Sequence, residues 1–212
     1  MPDFTLPPVP PDCVYETLRT HGETICELAA HLTRLDASAR ALDIPLPPRA
    51  ELTQLLARSA GPDRVLRLVI RADGKPELYS RSVQPGKWGR AVSLAVWEDP
   101  GDGPPGFAKH GQRQRWLNAQ IAAGVDEILR VDRSGFVLEA GASNILAVVD
   151  GVIRTPPLDG RILPGITRGQ LLALARERRI PISEEPLPVT TAWQELGLSS
   201  SLKGVAPVST LD

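Results

Sequence analysis

Between Glu27 and Leu42 the apolar residues Leu28, Leu32, Leu35, Ala39 and Leu42 recur at spacings of three and four, leaving Arg34 off the stripe, and that period predicts a helix. Upstream, Cys13 to Arg19 reads as a strand that turns at His21-Gly22. A second helix is predicted over 50–59, then strands over 65–71, 77–83 and 92–96, the first two joined by a turn at Asp73-Gly74-Lys75-Pro76. Further on the pattern predicts a helix over 112–123 and strands over 127–131, 136–138 and 145–149, with turn signals at Arg133-Ser134-Gly135 and Asp150-Gly151. A helix over 167–178 carries Leu171, Leu172 and Ala175 on one face, and short strands near 198–201 and 204–208 close the chain. The mixture is α+β. The run from Glu98 to Gly106 is dominated by Pro, Gly and Asp and reads as a connection, giving a small N-terminal domain over 1–98, a linker over 99–107 and a C-terminal domain over 108–212.

Composition narrows the function classes. With 212 residues, 42% of them hydrophobic, the chain can fill a sizeable core. Its 24 basic and 25 acidic side chains nearly cancel, which argues against nucleic acid or an anionic membrane surface as a partner. No apolar run approaches the roughly 20 residues needed to cross a bilayer. The N-terminus lacks a signal-peptide pattern, and Cys13 and Cys26 form no metal-ligand spacing. The expectation is a cytoplasmic protein with reduced thiols and no metal site.

Only four of the 24 basic residues are lysines: Lys75, Lys87, Lys109 and Lys203. Schiff-base chemistry needs a lysine, because arginine does not deprotonate to a nucleophile. Lys75 and Lys87 sit in turns, and Lys203 falls in a strand whose alternation turns it outward. Lys109, just after the linker and before a helix, is either a surface lysine or one that projects into an interdomain cleft. Glu139 lies among small and apolar neighbours and reads either as a strand-end carboxylate facing water or as a partner for a protonated ring nitrogen. Pro164-Gly165-Ile166-Thr167 precedes a helix; Thr167 is an ordinary N-cap, or the free N–H groups of the first turn receive an anion. Ser199 to Ser201 is a polar loop or a set of hydroxyl donors to the same anion. Arg34 is a solvated helix residue or a two-pronged phosphate ligand. His31 reads as structural. An amine, a carboxylate, a helix N-terminus and a hydroxyl cluster in this order suit an aldehyde cofactor with a phosphate and a basic ring nitrogen, such as pyridoxal 5'-phosphate.

Taken together, Tyr15-Glu16-Thr17-Leu18-Arg19, His31-Leu32-Thr33-Arg34-Leu35, Lys109, Glu139 with Ser143-Asn144, Leu163 to Arg168, and Ser201 to Val208 resemble the class IV aminotransferase family, the fold type IV pyridoxal-phosphate enzymes. The resemblance implies a two-domain α+β fold like that of D-amino acid aminotransferase, with a larger β-rich C-terminal domain, a homodimer, and a small amino compound as substrate. It implies that Lys109 forms the Schiff base, that Glu139 pairs with the pyridine nitrogen, and that Arg34, Ile166, Thr167, Ser200 and Ser201 bind the phosphate. Tyr15 and Arg67 match positions on the substrate side. The proline-rich lead is shorter than in relatives, so part of the substrate pocket or dimer surface is expected to be missing. No Arg-x-His pattern follows Arg71, against a D-amino acid specificity. Ser201-Leu202-Lys203-Gly204-Val205-Ala206-Pro207-Val208 looks more like aminodeoxychorismate lyases than transaminases, so formation of 4-aminobenzoate and pyruvate is the first expectation. Amino acid transamination, of branched-chain rather than D-amino acid type, is the alternative, and a non-catalytic binding module is the third.

Overall fold

In the computed structural model of the chain, which describes residues 6–83, 86 and 89–212, two compact units form. Of the described residues, the first comprises 6–83 and 86 with 108–114, and the second 89–107 with 115–212. Lys87 lies outside the described residues.

In the first unit the described residues build a four-stranded sheet in the order β2-β1-β3-β4, from β1 (Cys13–His21), β2 (Thr24–Ile25), β3 (Arg64–Arg71) and β4 (Pro76–Ser82). The turn at Gly22 has φ +54°, a left-handed conformation that glycine adopts without strain. Two helices, α1 (Leu28–Ala41) and α2 (Arg49–Ser59), pack on this sheet. Antiparallel pairing sets Val14 opposite Ile70 and Leu18 opposite Leu66, so one face is apolar; it meets Leu32, Leu35, Leu52 and Leu56 in a single core. Since side chains alternate, Tyr15 and Arg67 fall on the other face.

The second unit carries an eight-stranded sheet, β10-β9-β8-β11-β12-β5-β6-β7, with β5 (Val92–Glu98), β6 (Glu127–Val131), β7 (Val137–Ala140), β8 (Asn144–Val149), β9 (Val152–Thr155), β10 (Ile182–Glu184), β11 (Glu195–Ser200) and β12 (Gly204–Leu211). Helices α3 (Gln114–Ala123) and α4 (Ile166–Glu177) complete it. Val92, Leu94, Leu129, Ile145, Ala147 and Leu198 form its core. β5, which the sequence reading counts with the N-terminal half, pairs in parallel with β6 and β12 in this sheet. Residues 108–114, read as the start of the C-terminal half, cluster with the first unit: Val14 bridges His110, and Tyr15 N–H donates to Lys109 O at 3.0 Å. Patterning within each element gives its type; which sheet it joins is decided by pairing at long sequence separation, which no local window contains.

Leu35 is fully buried in the first core, so Leu35→Ala should lower the unfolding free energy by about 2–5 kcal/mol. Leu174→Ala, at an exposed position on α4, should change it by less than about 0.5 kcal/mol. Urea titration of both variants checks the contrast, and equal effects would contradict the assigned core.

Candidate active site

The predicted site residues divide between the units. Tyr15, Arg34, Arg67 and Lys109 lie in the first, and Glu139, Ile166, Thr167, Ser200 and Ser201 in the second.

Arg34 is not a solvated helix residue. It lies on the sheet-facing side of α1 at 8% exposure, and its Nε and Nη2 donate to the two oxygens of Glu16 at 2.7 and 2.8 Å. His31 Nδ1 lies 2.7 Å from Glu16 Oε2, one turn earlier on the same helix. Burial by itself would push the Glu16 carboxyl up, but the Arg34 charge and the bonds from Arg34 and His31 outweigh it and hold the group well below the usual carboxylate range. Glu16 is thus a partner that the sequence reading left unassigned. Its signal was available: a lone carboxylate on the apolar face of an alternating strand needs a buried cation.

Ser38, one turn beyond Arg34, donates its hydroxyl to Arg34 O and accepts the Lys109 N–H, both at 2.9 Å. With the Lys109 carbonyl bonded to Tyr15, the backbone of the candidate lysine is fastened on both sides. Its Nζ stands 4.8 Å from the centre of the Tyr15 ring. Two residues on, Gly111 has Pro10 so close that a Cβ would overlap the Pro10 carbonyl, so the proline-rich lead packs directly on this segment. Arg67 also approaches the Tyr15 ring, at 5.9 Å, and donates Nη1 to Pro7 O at 2.9 Å. Burial raises the Tyr15 hydroxyl above its ordinary value, with Arg113 and Arg67 opposing.

In the second unit Glu139 is inside β7 and 1% exposed, which excludes the reading as a strand-end carboxylate facing water. Arg130 Nη1 donates to Oε1 at 2.8 Å, while Asn144 Nδ2 and Leu163 N–H donate to Oε2 at 3.2 and 3.1 Å. Asn144 also donates to Leu163 O at 2.9 Å, so it ties β8 to the segment leading into α4. The N-cap of α4 is Gly165, not Thr167, and no side chain caps this end. A Cβ on Gly165 would collide with Asn144 Oδ1, which accounts for glycine there. Arg168 is buried and donates to Pro156 O and Glu184, both at 2.8 Å, anchoring the first turns of α4.

Ser199 pairs across strands with Asn144, and its Oγ is buried without a hydrogen-bond partner. The sequence groups Ser199 with Ser200 and Ser201 as hydroxyl donors, whereas the family resemblance assigns only Ser200 and Ser201; the burial of Ser199 depends on the register of β11 against β8. Ser200 Oγ accepts the Lys203 N–H at 3.2 Å in the turn between β11 and β12. Lys203 corrects a further expectation: it sits in that turn, not in a strand facing outward, and its Nζ pairs with the buried Glu127. Glu127 also accepts from Ala142 N–H at 2.8 Å and Ser143 Oγ at 2.7 Å, joining the turn after Glu139 to the turn after Ser200.

Among the described residues no His, Cys, Asp or Glu cluster is arranged to hold a metal ion, and no helix is long and apolar enough to cross a membrane. Compared with known proteins, residues 13–211 match the family model for amino-transferase class IV. A putative branched-chain-amino-acid aminotransferase of Methanocaldococcus jannaschii is 31% identical, over 95% of this chain and 79% of its own. A hypothetical aminotransferase from Mycobacterium tuberculosis, solved with alpha-ketoglutarate and PMP bound, superposes with a TM-score of 0.84 at 26% identity, covering 95% of this chain and 81% of that one. A putative 4-amino-4-deoxychorismate lyase from Legionella pneumophila shares the fold at 21% identity, with a TM-score of 0.82 over the whole of this chain and 90% of its own.

Because the Glu16 carboxyl is held below its ordinary 4.5 in the folded state, it contributes stability that is present above pH 4.5 and lost as the pH falls toward the folded-state value. Glu16→Gln should therefore flatten the acid side of the stability profile and destabilise the protein at neutral pH, where Arg34 would be left buried beside a neutral amide. Denaturant midpoints measured across the acid range test this; an unaltered slope in the variant would contradict it.

Proposed function

Because the chain belongs to the class IV aminotransferases, a family of pyridoxal-phosphate-dependent enzymes, we propose that it moves an amino group between a branched-chain amino acid and a 2-oxo acid. The observation carrying this reading is the 31% identity to a putative branched-chain-amino-acid aminotransferase along 95% of the chain. It shifts the balance away from the lyase, which rests on the Ser201 to Val208 pattern and on a fold neighbour at 21% identity. The lyase stands as the second reading.

The residues present fit the cofactor. An uncapped helix start at Ile166 and Thr167 offers N–H groups to an anion, and the partnerless buried hydroxyl of Ser199 lies beside Asn144, against which Gly165 packs. We assign Ile166, Thr167, Ser200 and Ser201 to the phosphate, with Arg34 as the guanidinium ligand held in place by Glu16. When bound, pyridoxal phosphate supplies an aldehyde that captures the substrate amine and a protonated ring that draws electrons from the α-carbon. Glu139 would offer the ring nitrogen a carboxyl acceptor whose orientation three donors fix. Lys109 is the anchoring amine and, once released, the general base that takes the α-proton at Nζ. Tyr15 and Arg67 are assigned to the substrate side. Transamination and pyruvate release place the same demands on these residues.

Purified protein incubated with pyridoxal phosphate should show a visible absorbance band that Lys109→Ala abolishes. A branched-chain amino acid with 2-oxoglutarate should yield glutamate, with a rate lowered by at least about a thousandfold in Lys109→Ala. Formation of 4-aminobenzoate and pyruvate from aminodeoxychorismate, without amino acid turnover, would overturn the transaminase in favour of the lyase. Absence of the band in the wild type would leave the fold as a binding module.

A further inference from the structure

Glu139 is held from behind by a second buried charge, Arg130. β6 and β7 pair with an irregular register, Leu129 opposite Ala140 and Val131 opposite Val137, so that Arg130 faces the stretch containing Glu139. Such irregularities re-aim side chains out of regular alternation. The Arg130 guanidinium spends each of its edges. Nη1 donates to Glu139 Oε1 at 2.8 Å, while Nε and Nη2 both donate to Asp99 Oδ2, at 2.7 and 2.5 Å. Its face lies on the Trp116 ring, 3.8 Å from Cζ to the ring centre. Asp99 is itself steadied by the Gly101 N–H on Oδ1 at 2.9 Å, with Arg115 Nη2 at 3.6 Å from the same oxygen. Asp99, Trp116, Arg130 and Glu139 are each no more than 5% exposed.

We propose that Arg130 is a positioning residue for the ring-nitrogen partner: clamped between Asp99 and the face of Trp116, its guanidinium sets the orientation and balances the charge of Glu139. The inference rests on the assignment of Glu139 to the cofactor ring. A rotating carboxylate offers its negative charge over an arc, whereas one fixed at both oxygens offers it at a point. Lysine would not reproduce the arrangement, because a single ammonium lacks the planar fork that meets Asp99 along one edge and Glu139 along another. Behind the relay lies a cavity of about 290 Å³ bordered by Asp99, Trp116 and Arg130, so truncating the arginine would open that flank of Glu139 to water.

The test uses the intact chain, wild type and Arg130→Met, with pyridoxal phosphate as the probe. Cofactor affinity is read by quenching of intrinsic fluorescence, and the pH profile of the visible band by absorbance. Loss of one charge-assisted bond predicts affinity weaker by about ten- to a hundredfold in Arg130→Met. The band's pH profile should shift, and Arg130→Lys should restore part of the shift but not the affinity. Melting of the cofactor-free proteins reports whether the variant is folded; if Arg130→Met is not, Asp99→Asn replaces it, keeping the arginine and removing its outer anchor, with a smaller loss of cofactor affinity expected, and wild-type affinity in that variant would overturn the role. A folded variant with wild-type affinity and pH profile would overturn the role of Arg130. A wild type without the visible band would instead overturn the reading on which the role stands.

Discussion

A carboxylate withdrawn from water costs several kcal/mol unless donors replace its hydration, and this chain does so at Glu16, Glu127 and Glu139. Each solves the problem by gathering donors from separate segments. Glu16 on β1 takes Arg34 and His31 from α1; Glu127 on β6 takes Ala142, Ser143 and Lys203; Glu139 on β7 takes Arg130, Asn144 and Leu163. Because a half-satisfied buried charge is worse than none, these segments must arrive together. Apolar burial stabilises the two units without regard to direction, while the three carboxylates specify where the turns and helix starts carrying the candidate residues come to rest.

What could be read beforehand follows from the range of the forces involved. The stripe Leu28, Leu32, Leu35, Ala39 and Leu42 and the alternation of β1 are local signals, and α1 and β1 form where they say. β5 is legible as a strand from its own residues, but its parallel partners are β6 and β12, and β12 begins more than a hundred residues later. The dipeptide β2 and the three-residue β10 are too short for any period to mark.

Among the candidate residues, Lys109 emerged because lysine is scarce and Glu139 because its neighbours are small. Their supports did not emerge, since a support is defined by its partner. Arg34 looked like any helix arginine off the apolar stripe until Glu16 was seen to face it. Lys203 looked like a strand lysine until the turn brought it over Glu127. Arg130 carried no signal, because the register irregularity that aims it at Glu139 is a property of two strands together.

Lys109 illustrates what such supports accomplish. Its N–H rests on the Ser38 hydroxyl and its carbonyl accepts from Tyr15, so the peptide units on either side have partners in α1 and β1. The freedom left to the residue is the rotation of a four-carbon stem about an anchored root. In such a mounting any displacement of the amine is a movement of the side chain alone, and the backbone that carries it has no need to rearrange.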